Sequence, residues 1–137
     1  MKSFQERVRP WLDACFGPQV AVDPVERNQR FLEEALELTQ ATGISRSEAH
    51  QLVDYVFDRE AGNPDQEVGG CMNTLAALCL AHGLDMHEAG ERELERVWGA
   101  DILLKIRAKQ KAKPRFIPVA SGSGDQPREQ DAYDGAN

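Results

Sequence analysis

The stretch from Asp23 to Gly43, DPVERNQRFLEEALELTQATG, decides the fold class. Asp23-Pro24 is an N-cap with proline in the first turn, and Gly43 is the residue type that stops a helix. Between them Phe31, Leu32, Ala35, Leu36 and Leu38 fall on one arc when each residue advances about 100°. The spacing predicts an amphipathic helix from residue 24 to about Thr42.

The same grammar runs outward in both directions. Phe4, Val8, Trp11, Leu12 and Cys15 have three- and four-residue spacing, so residues 1–16 predict a first helix that Pro10 would kink or restart and Gly17-Pro18 would close. Ser45 and Glu48 form a capping box, S-R-S-E, ahead of Ala49, Leu52, Val53 and Val56, which predicts a helix to about residue 58. Residues 59–66, REAGNPDQ, read as a loop. The run VGGCMNTLAALCLAHG that follows is small or apolar almost throughout, which predicts a helix buried nearly all round and ended by Gly83. Residues 86 to about 112 predict a last amphipathic helix with a break near Gly99-Ala100. The end of the chain, with SGSGDQPREQD, has too few apolar groups to offset the entropy of ordering. The expectation is an all-α helical bundle of four to five helices in one domain, residues 1–116 with a core over 24–113, and a flexible tail over 117–137.

Length and charge narrow the function. A chain of 137 residues suits one domain with a modest core. Sixteen Lys and Arg against twenty-three Asp and Glu give a net charge of −7, which disfavours nucleic acid and anionic membrane surfaces as partners. The charged start MKSFQERVRP leads into no secretion signal, and no apolar run is long enough to span a membrane, so a cytoplasmic location is expected. Cys15, Cys71 and Cys79 are odd in number and lack a Cys-x-x-Cys pair, so they read as free thiols. His50, His82 and His87 have no ligand spacing suited to a transition metal, and Trp11 and Trp98 read as core or interface residues.

The chemistry rests on carboxylates. With Phe31 at zero, Glu34 falls near about 300° and Glu37 near about 240°, neighbours one turn apart with Glu34 bordering the apolar arc, whereas Glu33 near about 200° points to the far side. Two acids at i and i+3 repel each other, and a cation between them would remove that penalty. Glu67, beside the apolar run, is the candidate acid from a second helix. Taken alone, Glu-x-x-Glu is also a common pattern on a solvated helix face.

The order Glu34-Ala-Leu-Glu37, an intervening helix, then EVGGCMNTLAALCLAHGLDMHEAGE at residues 67–91 resembles the MazG-like all-α nucleoside triphosphate pyrophosphohydrolases, in a phage and proteobacterial branch. That resemblance implies Mg²⁺ or Mn²⁺ as cofactor, a nucleoside triphosphate substrate and a homo-oligomer, dimer or tetramer. It implies catalytic and metal-binding roles for Glu34 and Glu37 and a metal-binding role for Glu67. Gly70 stands where the family pattern places a fourth acid, Asp. Asp54 is the candidate replacement, with Glu33 behind it. The implied reaction splits a (d)NTP, with purine deoxynucleotides such as dGTP or dATP as the narrower expectation, into (d)NMP and pyrophosphate. If the chain is phage-encoded, this takes place in the host cytoplasm.

Cations complete the candidate set. Arg30 lies one turn before Glu34 and can face a phosphate or simply pair with that acid. Lys105 and Lys109 belong to the basic run KIRAKQKAKPR, which complements a helix dipole and could also hold phosphates. Three rival readings stay open: a phosphoribosyl-ATP pyrophosphohydrolase-like enzyme, a non-catalytic helical interaction protein, and a DNA-binding regulator built on GISRSEAHQLVDYVF. The last conflicts with the acidic charge.

Overall fold

The computed structural model describes residues 1–113. The tail expected over 117–137 lies outside the described residues. Seven helices follow one another: α1 Phe4–Phe16, α2 Pro18–Ala21, α3 Pro24–Ala41, α4 Arg46–Phe57, α5 Pro64–His82, α6 Met86–Val97 and α7 Ala100–Ala112. The described residues contain no strand, and the all-α class holds. The helices outnumber the expected four to five because α2 is an extra short turn and the last helix divides at Trp98-Gly99.

Local chemistry explains the boundaries. Ser3 and Glu6 cap α1 reciprocally, and Ser45 and Glu48 do the same for α4. The Asp23 carboxylate accepts from the Val25 amide at 3.0 Å, and the Asn63 side chain accepts from the Asp65 amide at 3.0 Å. Pro24 and Pro64 therefore occupy equivalent first-turn positions, so α5 starts at Pro64, inside the stretch expected to be loop. Gly83 closes α5 in the left-handed region at φ 64°, where a β-carbon is strained. Pro10 neither breaks nor restarts α1, which runs unbroken through it. The carbonyl that its missing N–H leaves free belongs to exposed Glu6, where water substitutes.

The buried centre lies between the two ends of the chain. α1 packs on α2 and α7, and α6 packs on α5 and α7. Cys15, Ala21, Leu94 and Val97 are buried there, with Cys79 from the end of α5. Trp11 donates its indole N–H to the Val97 carbonyl at 3.2 Å and meets Phe16 edge-on at 5.7 Å. The Arg107 guanidinium of α7 donates to the carbonyls of Ala14 and Cys15, satisfying acceptors at the end of α1. Arg7 and Glu91 pair across α1 and α6, and Arg27 of α3 lies over the Phe16 ring at 4.8 Å.

One expectation is overturned. α5, predicted to be buried nearly all round, has Cys79 as its one buried residue, and Val68, Met72, Leu75 and Leu80 face solvent. Phe31, Leu32 and Leu36 on α3 and Leu52, Val56 and Phe57 on α4 are exposed too. The apolar arcs exist where periodicity puts them. Within residues 1–113, α3, α4 and the first half of α5 do not close over one another to hide them.

Leu94 carries much of the small core. Leu94→Ala should lower unfolding stability by roughly 2–3 kcal/mol, measured by urea denaturation, whereas Leu104→Ala on the exposed side of α7 should change it by less than about 0.5 kcal/mol.

Candidate functional site on helix α3

α3 and α4 diverge from the turn at Gly43 and leave a groove of about 690 Å³ between them. Leu32, Leu36, Ile44 and Val53 form its apolar wall, and Arg30, Glu33, Glu37 and His50 supply its polar groups. Its mixture of an apolar wall and few convergent polar groups is what small-ligand sites present.

The structure divides the α3 acids differently from helical geometry alone. Glu37 lines the groove, and Glu34 is an exposed side chain outside the lining. Glu33, assigned to the far side, lines the groove and is partly buried. Its carboxylate accepts from Arg30 Nη1 at 2.5 Å and from Lys113 Nζ at 3.0 Å. Lys113 caps the end of α7, so the direction of Glu33 is fixed by where that helix finishes.

Arg30 pairs with Glu26, at 3.3 Å from its Nε, and with Glu33, rather than with Glu34. Only 14% of its side chain is exposed. Gln110 of α7 donates to Glu26, which gives α3 and α7 two polar links two helical turns apart. The hydrogen bond from Lys113 holds the Glu33 carboxyl below the ordinary glutamate range, with the charges of Lys113, Arg30 and Lys109 adding to it and burial opposing. Lys109 thus contributes positive potential beside the groove. Lys105 is exposed and is not part of its lining.

The acids on the other helices stand apart. Asp54 is exposed on α4. Glu67 folds back toward the start of its own helix, with Oε1 2.1 Å from where a β-carbon on Gly62 would lie. There its charge favours the positive end of the α5 dipole. At Gly70 a β-carbon would meet nothing within 4 Å. Among the described residues no three His, Cys, Asp or Glu side chains are grouped to hold a metal ion. Glu34, Glu37, Asp54 and Glu67, the acids that the MazG-like resemblance implies for an ion, do not form such a group among the described residues.

Glu26, Lys113 and Gln110 were not singled out from sequence. A signal for them exists: Glu26, Arg30 and Glu33 form one stripe at spacings of four and three, facing a basic helix end whose Gln110 and Lys113 are three apart. Comparison with known proteins finds no matching family model, no matching curated protein and no matching solved structure.

A carboxyl that titrates lower in the folded than in the unfolded chain stabilises the fold fully above its unfolded value, near 4.5, and loses that contribution as pH falls through the folded value. Lys113→Met should therefore move the Glu33 titration upward, toward 4.5, and reduce the loss of stability on acidification below that pH. Carbon-13 NMR titration of the glutamate side chains reads the first effect and thermal unfolding against pH the second.

Proposed function

We propose that the chain is a divalent-metal-dependent nucleotide pyrophosphohydrolase of the cytoplasm that cleaves a (d)NTP, a purine deoxynucleotide such as dGTP or dATP being the narrower choice, to (d)NMP and pyrophosphate. The observation that carries the reading is Glu37 in the α3–α4 groove, with the cations Arg30 and Lys109 nearby and Glu34 one turn away. The order Glu34-x-x-Glu37 followed by Glu67 supports it from the sequence. Water attacks the α-phosphorus, the bond from that phosphorus to the bridging oxygen breaks, and pyrophosphate leaves with that oxygen. Glu37 is assigned to take the proton from the attacking water. Arg30 and Lys109 offset phosphate charge. Arg30 does so from a position already held by Glu26 and Glu33, which limits its reach and makes Lys109 the freer of the two. Mg²⁺ or Mn²⁺ belongs to the reading as the cofactor implied by the resemblance, with Glu34, Glu37, Glu67 and Asp54 as its proposed ligands. Because those acids are dispersed over three helices, no step is assigned to the ion.

A second reading has its own support. The dispersed acids and the exposed apolar faces of α3, α4 and α5 favour a non-catalytic helical interaction protein. Incubating the full chain with a panel of (d)NTPs and Mg²⁺ or Mn²⁺ separates the two by pyrophosphate release. The catalytic reading expects turnover with at least one nucleotide and a loss of about 100-fold or more in Glu37→Gln. Absence of turnover across the panel would leave the interaction protein, and full turnover by Glu37→Gln would remove Glu37 from its assigned role.

A further inference from the structure

Two polar links give the end of α7 a direction along α3. Gln110 donates to Glu26 and Lys113 to Glu33, so the chain there travels toward the C-terminal half of α3, where the groove with Glu37 lies. Lys113 has extended backbone at ψ 138°, and its Nζ is 3.0 Å from Glu33, which itself lines the groove. The residue after Lys113 is therefore delivered to the groove's edge. The wall waiting there is apolar and uncovered: Leu32, Leu36 and Val53 are between 45% and 55% exposed although all three line a concave surface. Residues 114–120 read Pro-Arg-Phe-Ile-Pro-Val-Ala. Past Val119 the sequence is small, polar or charged apart from Pro127 and Tyr133, so the bulky aliphatic and phenyl groups after Lys113 are gathered in this one short run.

We propose that Phe116, Ile117 and Val119 dock in the α3–α4 groove of their own chain, against Leu32, Leu36, Ile44 and Val53, with Arg115 paired to Glu37. The lengths agree. One helical turn from Glu33 to Glu37 advances about 6 Å, and two extended residues from Lys113 to Arg115 advance about 7 Å. Between Glu33 and Gln40 the groove follows about 10 Å of α3, and Phe116 to Val119 reach about 10 to 20 Å beyond Lys113. The charges agree as well, because Lys113 and Arg115 meet Glu33 and Glu37 in the same order, and Glu37 has no ion-pair partner among the described residues. Pro114 and Pro118 restrict their own backbone and that of Lys113 and Ile117, which lowers the entropy lost on docking. The covalent link supplies an effective concentration on the order of millimolar, so a weak contact suffices. A ligand of the groove enters by displacing this segment. The docking stands apart from the catalytic reading: a chain without turnover leaves it intact, and an undocked segment leaves turnover intact.

Methyl-labelled NMR of the full chain tests it. Overhauser contacts are expected from the Phe116 ring to the methyl groups of Leu36 and Val53, and in a mixture of labelled and unlabelled chains they should stay within one chain. Phe116→Asp should lower the docking equilibrium constant by about tenfold or more, read as movement of those methyl resonances, whereas Tyr133→Asp should leave them in place. Arg115→Glu checks the register separately and should displace the Glu37 carboxyl resonance. Absence of contacts from Phe116 to the groove, methyl resonances unmoved by Phe116→Asp, or contacts formed only between two chains would each overturn the proposal.

Discussion

The fourteen uncharged residues from Val68 to Ala81 impose the constraint on which the rest depends. A helix with no charged side chain, and only Asn73 and Thr74 as polar ones, gains little from water, and its burial is the natural source of cohesion for the whole chain. Residues 1–113 meet that demand at one end only, where α6 packs against α5 and Cys79 is buried. The other end, with Val68 and Met72, stays in solvent together with the apolar faces of α3 and α4. Conformational entropy opposes such an arrangement, since long helices held by few tertiary contacts are marginal in water. What covers α5 is therefore the main question that the fold raises about stability and about function.

The opposite end of the molecule is better provided for. Trp11 reaches across to the Val97 carbonyl, Arg107 closes the end of α1, and Arg7 ties α1 to α6. These contacts bring the first and last helices together and leave the end of α7 within side-chain reach of α3. From there Gln110 and Lys113 reach Glu26 and Glu33, and that pairing decides which acids of α3 face the groove. Glu33 is engaged as a structural ion-pair partner, and Glu37 is the groove acid with no ion-pair partner among the described residues. These partly buried ion pairs lose solvation as they gain attraction, so the value of this network lies in orientation more than in cohesion.

Element boundaries were legible wherever the signal was local. Asp23-Pro24, the Ser45–Glu48 box, Gly43 and Gly83 all mark the ends that the structure shows. The misses are instructive because the same chemistry was present. Asn63-Pro64 repeats the Asp23-Pro24 start but sits beside Gly62, and so reads as loop. Ser3 and Glu6 form a capping box that Pro10 overshadows. α2, at four residues, is too short for periodicity to register. Burial was a different matter: a period of 3.6 residues says which face is apolar, not which neighbour covers it. The direction of Glu33 was hidden for the same reason, since it depends on Lys113, eighty residues away.

Function and assembly meet on one face, since the groove that holds Glu37 shares Leu32 with the open apolar surface. A change in what covers that surface would alter access to the groove, its dielectric and the separation of the acids around it. The family resemblance implies a homo-oligomer, and a second copy over α5 is the cover proposed for residues 68–81. Amide hydrogen exchange over residues 68–81, followed as the protein is diluted, tests it most directly. The account predicts strong protection at high concentration that falls on dilution, while the amides around Cys15 and Val97 change much less. Fast exchange along residues 68–81 at every concentration, or protection that dilution leaves unchanged, would contradict it.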